Sequence, residues 1–258
     1  MNINFYKYQA TGNDFILIDD REEKFNIKDS RLIKGLCKRR LGIGSDGLII
    51  LRCHPEYNFE MIFFNSTGER STFCGNGARC IISFARDIGI ISSECTFLAY
   101  DGVHQGRVDG ENIMLRMSDV KEIDVRKEYV ILDTGSPHLV KIVDNISKID
   151  VIHDGRKLRY DERFGDYGIN VNFTEIIEGN ISMRTYERGD EMESLSCGTG
   201  SVATAIALYE IKKIDYRSIT IKTRGGSLKV TFNHDGSIYT NIWLNGNVKL
   251  LYKGMFTC

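Results

Sequence analysis

Two short stretches set a cysteine at the head of a glycine-rich turn. "CGNG" fills residues 74–77 and "CGTG" residues 197–200, and each runs into helix-forming residues. A helix N-terminus presents N–H groups without intrahelical acceptors and carries partial positive charge. Both stabilise an anion, so a cysteine placed there gains thiolate character. The glycines after it let the backbone approach a ligand closely, and their N–H groups can hold a carboxylate. Two such turns facing each other would grip one carboxylate between two positive helix ends and set a sulfur on each side of the adjacent carbon. One thiolate could then remove a proton from that carbon while the opposing thiol delivers one to the other face. That is racemisation by two bases, drawing on proximity, general acid–base catalysis and electrostatic stabilisation.

The remaining cysteines read differently. Cys37, Cys53, Cys80 and Cys95 lie in apolar periodic segments and read as packing, and Cys258 has no informative context. Seven irregularly spaced cysteines, with no basic and apolar leader in "MNINFYKYQATGNDFILID", suggest reduced thiols and a cytoplasmic protein. Cys74 and Cys80 do not form a C-x-x-C pair and no histidine completes a zinc pattern, so no metal is expected. "GIGSDG" (42–47) fits the dinucleotide pattern G-x-G-x-x-G, but it comes after a helix and enters the strand-like "LIIL", the reverse of what NAD binding needs. No lysine stands in a recognisable pyridoxal phosphate context, and the thiol pair needs no cofactor. A formal net charge of −1 without a basic stripe argues against nucleic acid, the Lys38–Arg39–Arg40 cluster reading as a helix end. No run approaches ~18 consecutive apolar residues, so no membrane partner is expected.

The elements that must position the cysteines read as α+β. With 42% hydrophobic and 27% charged residues the chain is ordinary for a soluble globular protein. Alternating, β-branched segments such as "INFYKYQ", "DFILID", "FEMIFF", "EYVILDTG", "INVNFTEII" and "SLKVTF" recur along it. Three helices stand out: residues 30–42, with Leu32, Ile33, Leu36 and Leu41 at helical spacing and Gly42 as a stop; residues 77–89, ending at Gly89; and residues 200–213, apolar almost all round and therefore buried. The last two start alike, and the echo extends outward. "YQATGNDFILID" (8–19) matches "ILDTGSPHLVKIVD" (131–144), and "NFEMIFFNSTGE" (58–69) matches "NISMRTYERGDE" (180–191), in the same order. These matches point to an internal duplication, with a boundary near residues 118–128. The expected organisation is an N-terminal lobe over residues 1–118 carrying Cys74 and a C-terminal lobe over 119–258 carrying Cys197. The last strand is free to pack back on the first lobe. Each lobe is a curved, mostly antiparallel sheet around a central helix, with the active site in the cleft between them.

The blocks "TGNDF", "GIGSDGL", "FNSTGERSTFCGNGARC", "GSPHLV", "NVNF" and "YERGDEMESLSCGTGS", in this order over nearly the full chain, resemble those of the diaminopimelate epimerases. These are cofactor-independent amino-acid epimerases built of two similar lobes. The resemblance implies conversion of LL- to meso-diaminopimelate in lysine and peptidoglycan biosynthesis, with Cys74 and Cys197 as the opposed acid–base pair. It also implies that the N–H groups of Gly75–Asn76 and Gly198–Thr199 hold the carboxylate at the reacting carbon. Asn13, Asn65 and Asn170 match substrate-contacting asparagines, and Glu187 and Arg188 match the family's Glu-Arg pair. Those types suit the task, because Arg188 can pair a distal carboxylate bidentately and Glu187 can accept from an ammonium. The chain departs from the family where Ser136 stands in place of a common Asn, beside His138, and where Gly47 and Ser194 stand for Gln and Thr. A related racemase of another amino acid such as histidine or proline, or a silent amino-acid-binding homologue, are the alternatives, and a homodimer is left open.

Overall fold

Period-two patterning becomes strand wherever turn residues bound it. A computed structural model describes residues 2–257 of the chain; Cys258 lies outside the described residues. "NINFYKYQA" forms β1 (Asn2–Ala10) and "NDFILID" forms β2 (Asn13–Asp19), antiparallel with Tyr6 opposite Leu17 and Ala10 opposite Asn13. Thr11 and Gly12 turn between them at φ of 44° and 97°, which sets Asn13 at the first position of β2. Next is helix α1 (Ser30–Cys37), capped by Asp29, which accepts from the Leu32 N–H at 2.9 Å. Then come β3 (Gly47–Arg52), β4 (Phe59–Asn65), helix α2 (Gly75–Asp87), β5 (Glu94–Ala99), β6 (Gly102–Asp109) and β7 (Asn112–Arg116).

Helix α1 is shorter than the periodicity predicts. Lys38 leaves it in an extended conformation, and Leu41, read as an apolar helix position, is 77% exposed. The chain doubles back there. Gly42 N donates to Lys38 O at 2.8 Å and Gly44 N to Leu36 O at 3.0 Å, so close that a Cβ on Gly42 would sit 2.1 Å from Gly35 O. Cys53 also departs from expectation, because it falls one residue beyond β3 and is exposed rather than packed.

The chain divides into two compact units, Met1–Leu115 with Gly246–Cys258, and Arg116–Asn245. Strands of the first run in the order β1-β2-β3-β4-β5-β6-β7. The long final strand β16 (Tyr239–Thr257) lies between β7 and β1, pairing Val248 with Ala10 and Thr257 with Asn2. Helix α2 threads this ring against β1, β2, β3, β4 and β6, with every residue from Asn76 to Ala85 buried. Phe84 is fully buried there, so truncation to Ala is expected to cost about 3–5 kcal/mol.

The second unit contains β8 (Ile123–Val125), β9 (Val130–Asp133), β10 (Pro137–Ile142), helix α3 (Val151–Arg159), β11 (Asn170–Ile177), β12 (Asn180–Glu187), β13 (Met192–Ser194), helix α4 (Gly198–Glu210), β14 (Ser218–Thr223), β15 (Gly226–His234) and the first part of β16. The order is β16-β15-β14-β12-β11-β10-β9-β8, with β13 on β12. Helix α4 packs on β9, β10, β11, β12, β14 and β15, and its run "GSVATAIAL" is buried throughout.

The internal duplication is explicit in the connectivity. In the first unit β1–β2 is antiparallel, β2–β3 parallel, β3–β4 antiparallel, β4–β5 parallel and β5–β6 antiparallel. In the second unit β9–β10, β10–β11, β11–β12, β12–β14 and β14–β15 repeat that series in order. Helices α2 and α4 occupy the same place in it, and so do α1 and α3. The sequence reading passes over α3, whose amphipathic signal is weak. Its cap is nonetheless ordinary, with Asp150 accepting from His153 N at 3.0 Å and Arg156, Lys157 and Arg159 in its last turn.

Candidate active site

Both cysteines are helix N-caps. Cys74 precedes α2 at φ −141°, ψ 116°, and Cys197 precedes α4 at φ −126°, ψ 117°, so the chain enters the two helices in nearly the same conformation. The N–H groups of Gly75–Asn76 and of Gly198–Thr199 occupy the first two helical positions and are directed out of the helix ends. The sulfurs are used differently. Cys197 Sγ accepts from Gly200 N at 3.4 Å, whereas Cys74 does not cap α2 through its side chain.

In the first unit the cap is braced from the β1–β2 turn. Asn76, 4% exposed, donates through Nδ2 to Asn13 Oδ1, and Asn13 Nδ2 donates to Asp46 Oδ2 at 3.0 Å. Arg79 donates to Asn76 Oδ1 at 2.7 Å and to Thr11 Oγ1 at 3.0 Å. Asn13 and Asn76 are thus brought together beneath Cys74. Asn65 is not part of this group. Its Oδ1 accepts from Thr67 N at 3.0 Å, Thr67 Oγ1 at 2.6 Å and Glu69 N at 3.1 Å, so it shapes the turn after β4.

In the second unit a directed hydrogen-bond chain ends on Cys197. Leu139 O can only accept, so the Asn172 group 3.2 Å from it is Nδ2. The same Nδ2 lies 3.0 Å from His138 Nδ1, which must therefore accept. His138 then carries its proton on Nε2 and donates to Thr199 Oγ1 at 2.9 Å. Having accepted from His138, the Thr199 hydroxyl is turned to donate toward Cys197 Sγ at 3.5 Å. Thr185 Oγ1, donating to Asn172 Oδ1 at 3.0 Å, closes the far end of the chain. Asn172 and Asn170 alternate on β11 and so share a face of it, a spacing visible in "NVNF".

Electrostatics distinguish the members. Burial holds the His138 imidazole down at about 3, with Arg188 adding to the effect, so it is neutral at physiological pH. Burial likewise pushes the Cys197 thiol well above its ordinary range, and the Glu187 carboxylate pushes it further. The donors Thr199 and Gly200 pull the other way without prevailing. The expectation that a helix N-terminus lowers the pKa is therefore corrected for Cys197, because desolvation outweighs the cap. Glu187 is itself pushed up by burial, while the neighbouring Ser194 and Cys197 side chains pull it back.

Asn170, Arg188 and Ser136 form a third group. Asn170 Oδ1 accepts from Arg188 N at 2.9 Å, and its Nδ2 donates to Ser136 Oγ at 2.8 Å and Pro137 O at 3.1 Å. Arg188 Nη2 donates to the same Ser136 Oγ at 3.3 Å, and the guanidinium stacks 3.8 Å from the centre of the Tyr167 ring. Ser136 ties the two together. Among the described residues Arg188 forms no ion pair with a carboxylate, and no three His, Cys, Asp or Glu side chains are grouped to hold a metal ion. The sequence reading missed Thr11, Arg79 and Asn172. Among the described residues no helix is long and apolar enough to cross a membrane.

The fold is that of a Bacillus anthracis phenazine biosynthesis protein of the PhzF family, matched at a TM-score of 0.80 over 100% of both chains with 13% identity. It is also that of a hydroxyproline epimerase from Agrobacterium vitis, at a TM-score of 0.70 over 98% of this chain and 92% of that one with 11% identity. At such identities the likeness is one of fold. It is a fold of duplicated units, each with a cysteine capping its central helix. The family model described as diaminopimelate epimerase matches residues 5–121 and 130–250. The diaminopimelate epimerase of Flavobacterium psychrophilum is 46% identical over 253 residues, 97% of this chain and 99% of that one. That of Aquifex aeolicus is 35% identical over 273 residues, covering 98% and 97%. The chain belongs to the diaminopimelate epimerase family.

Proposed function

We propose that this chain interconverts LL- and meso-diaminopimelate without a cofactor, by proton transfer between the substrate α-carbon and two cysteines. The single observation that carries this reading is the matched entry of Cys74 and Cys197 into equivalent helices. In the reaction the N–H groups of Gly75–Asn76 and Gly198–Thr199 hold the α-carboxylate, where negative charge grows as the proton leaves. One sulfur, as thiolate, takes the α-proton, and the other, as thiol, gives its proton to the opposite face of the carbon. Glu187 and Asn170 read the polar groups of the substrate, and Arg188 takes the distal carboxylate bidentately, a role supported by its want of a carboxylate partner among the described residues. Asn13 acts by holding Asn76, and Asn65 by shaping its turn. Each lobe of the proposed enzyme contributes one cysteine, Cys74 or Cys197. The free thiols fit a reducing compartment, the cytoplasm. Leu251, Tyr252 and Met255, exposed along the end of β16, support a homodimer, which sedimentation would test.

LL-diaminopimelate incubated with the protein in heavy water is expected to gain deuterium at the α-carbon as it converts to the meso form. Absence of exchange, or equal exchange with histidine, would overturn the substrate assignment.

A further inference from the structure

Arg79 takes no part in the reaction just described, yet it is the bulkiest of the fully buried side chains. It lies in the first turns of α2, at the last position of "CGNGAR". Its Nη2 donates to Asn76 Oδ1 at 2.7 Å and Thr11 Oγ1 at 3.0 Å, and its Nη1 lies 3.4 Å from Gly75 O. Among the described residues its Nε has no hydrogen-bond partner and no carboxylate pairs with it. Burial lowers its pKa to about 10, so the guanidinium stays a cation at neutral pH. A buried cation with only neutral acceptors is costly unless an anion comes to it.

Two thiols are neighbours of its charge: Cys80, the next residue in the chain, and Cys74, which directly precedes the Gly75 whose carbonyl Arg79 Nη1 meets at 3.4 Å. Cys80 is fully buried and its thiol is pushed far up, so it stays neutral. The other charged groups at this corner satisfy one another: Lys7 pairs with Asp14 at 2.7 Å, and Arg39 bridges Asp14 and Asp46, the latter at 2.8 Å. His104, stacked on Phe73, pairs with Asp101 at 3.0 Å. No acidic residue stands in the first turn of α2, whose dipole adds to the same positive field. The second unit lacks the device. Where "CGNGAR" has Arg79, "CGTGSV" has Val202, fully buried, and the charge beside Cys197 is the carboxylate of Glu187.

We infer that Arg79 is a positioning residue acting through Cys74: its buried cation, added to the N-terminus of α2, makes Cys74 the resting thiolate and leaves Cys197 the resting thiol. The inference rests on the reading of Cys74 as an acid–base group. It also explains how duplicated caps come to hold opposite protonation states, which two-base proton transfer requires.

The test measures alkylation of Cys74 and Cys197 by iodoacetamide from pH 5 to 10 in the full-length protein, with peptide mass spectrometry, for the wild type, Arg79→Gln and Arg79→Lys. Wild-type Cys74 is expected to titrate below the ordinary thiol value of about 8.5 and Cys197 above it. Arg79→Gln, which keeps a donor for Asn76 and loses the charge, is expected to raise Cys74 by about one unit, cutting its thiolate fraction at pH 7 about tenfold. Arg79→Lys, which keeps the charge, is expected to titrate close to wild type. An unchanged Cys74 profile in Arg79→Gln, or equal shifts in both variants, would show a merely structural role and overturn the inference. Should Arg79→Gln not fold, the wild-type order decides, since Cys74 titrating at or above Cys197 overturns it alone. Alkylation needs no substrate, so a failure to epimerise diaminopimelate would sink the functional reading while leaving this result standing.

Discussion

His138 Nε2 lies 2.9 Å from the Thr199 hydroxyl, and that contact decides which way the hydroxyl can point. The orientation is inherited from a backbone carbonyl: Leu139 O fixes the Asn172 amide, the amide fixes the His138 tautomer, and the tautomer turns Thr199 toward Cys197. A histidine in this place serves as a neutral donor of fixed sense. It is not a second base.

Holding the imidazole neutral makes stability depend on pH. His138 titrates near 3 in the folded chain and near 6.5 when unfolded, so between these values the unfolded state binds more protons and stability falls as pH falls. From pH 6.5 to 4.5 the loss is about 2–3 kcal/mol. The depressed carboxylates Asp161 and Asp235, held at about 2, withdraw their contribution only at lower pH. Glu187, raised by burial, acts with the opposite sign but does so equally in a His138→Gln variant. Thermal melts should show the wild type losing Tm across this window more steeply than His138→Gln. Parallel curves would mean the imidazole is not held neutral.

Replacing either Cys74 or Cys197 with Ala removes one proton carrier and leaves the cap backbone in place. Each variant is expected to lose epimerisation by at least about 10³-fold, within the range of general acid–base effects. Far-ultraviolet circular dichroism should be unchanged, because each change removes one sulfur atom and keeps the cap backbone, at half-buried Cys74 and at buried Cys197 alike. Activity surviving in either variant would rule out proton transfer by two bases.

Much of this was legible in the sequence because the informative residues are local. Cys74 and Cys197 announce themselves by the Gly-x-Gly after each of them, and buried α4 by an apolar run with no polar face. Helix α3 escaped because "VIHDGRKLR" buries little more than Val151, Gly155 and Arg159. The duplication could have found it, since α1 lies between β2 and β3 and α3 fills the matching gap between β10 and β11. Arg79 escaped for another reason. An arginine in a helix reads as a solvated charge, and only tertiary burial reveals one that is not. Long-range partners such as Asn172 for His138, or Ser136 for Arg188, are set by strand register, which one-dimensional spacing does not contain.

Arg188 and Ser136 should separate binding from chemistry. Lysine cannot reproduce the planar fork that takes a carboxylate bidentately, so Arg188→Lys is expected to raise KM for diaminopimelate roughly 10–100-fold with a smaller change in kcat. Ser136→Ala removes the oxygen shared by Asn170 Nδ2 and Arg188 Nη2, while Asn170 keeps Pro137 O and Arg188 N. One neutral hydrogen bond is at stake, so KM should rise roughly 2–10-fold. Steady-state kinetics would contradict this assignment if kcat fell and KM held in Arg188→Lys.

The glycines after the cysteines face the protein as well as the ligand, and the two caps should respond unequally to a methyl group. A Cβ on Gly200 would lie 2.4 Å from Asn172 Oδ1 and 3.3 Å from Cys197 Sγ, driving apart the amide that orients His138 and the sulfur it serves. A Cβ on Gly77 would meet the end of the Ile49 side chain at 2.9 Å, which a rotation can relieve. Gly200→Ala is therefore expected to cost about 1–3 kcal/mol of stability, and Gly77→Ala less. For a chain of this size that is a Tm drop of roughly 2–4 °C per kcal/mol. Gly200→Ala should also slow turnover more than Gly77→Ala, because the displaced Asn172 releases the His138 tautomer and with it the Thr199 donor. Equal melting temperatures and equal rates for the two variants would show that the Asn172 contact does not govern the Cys197 cap.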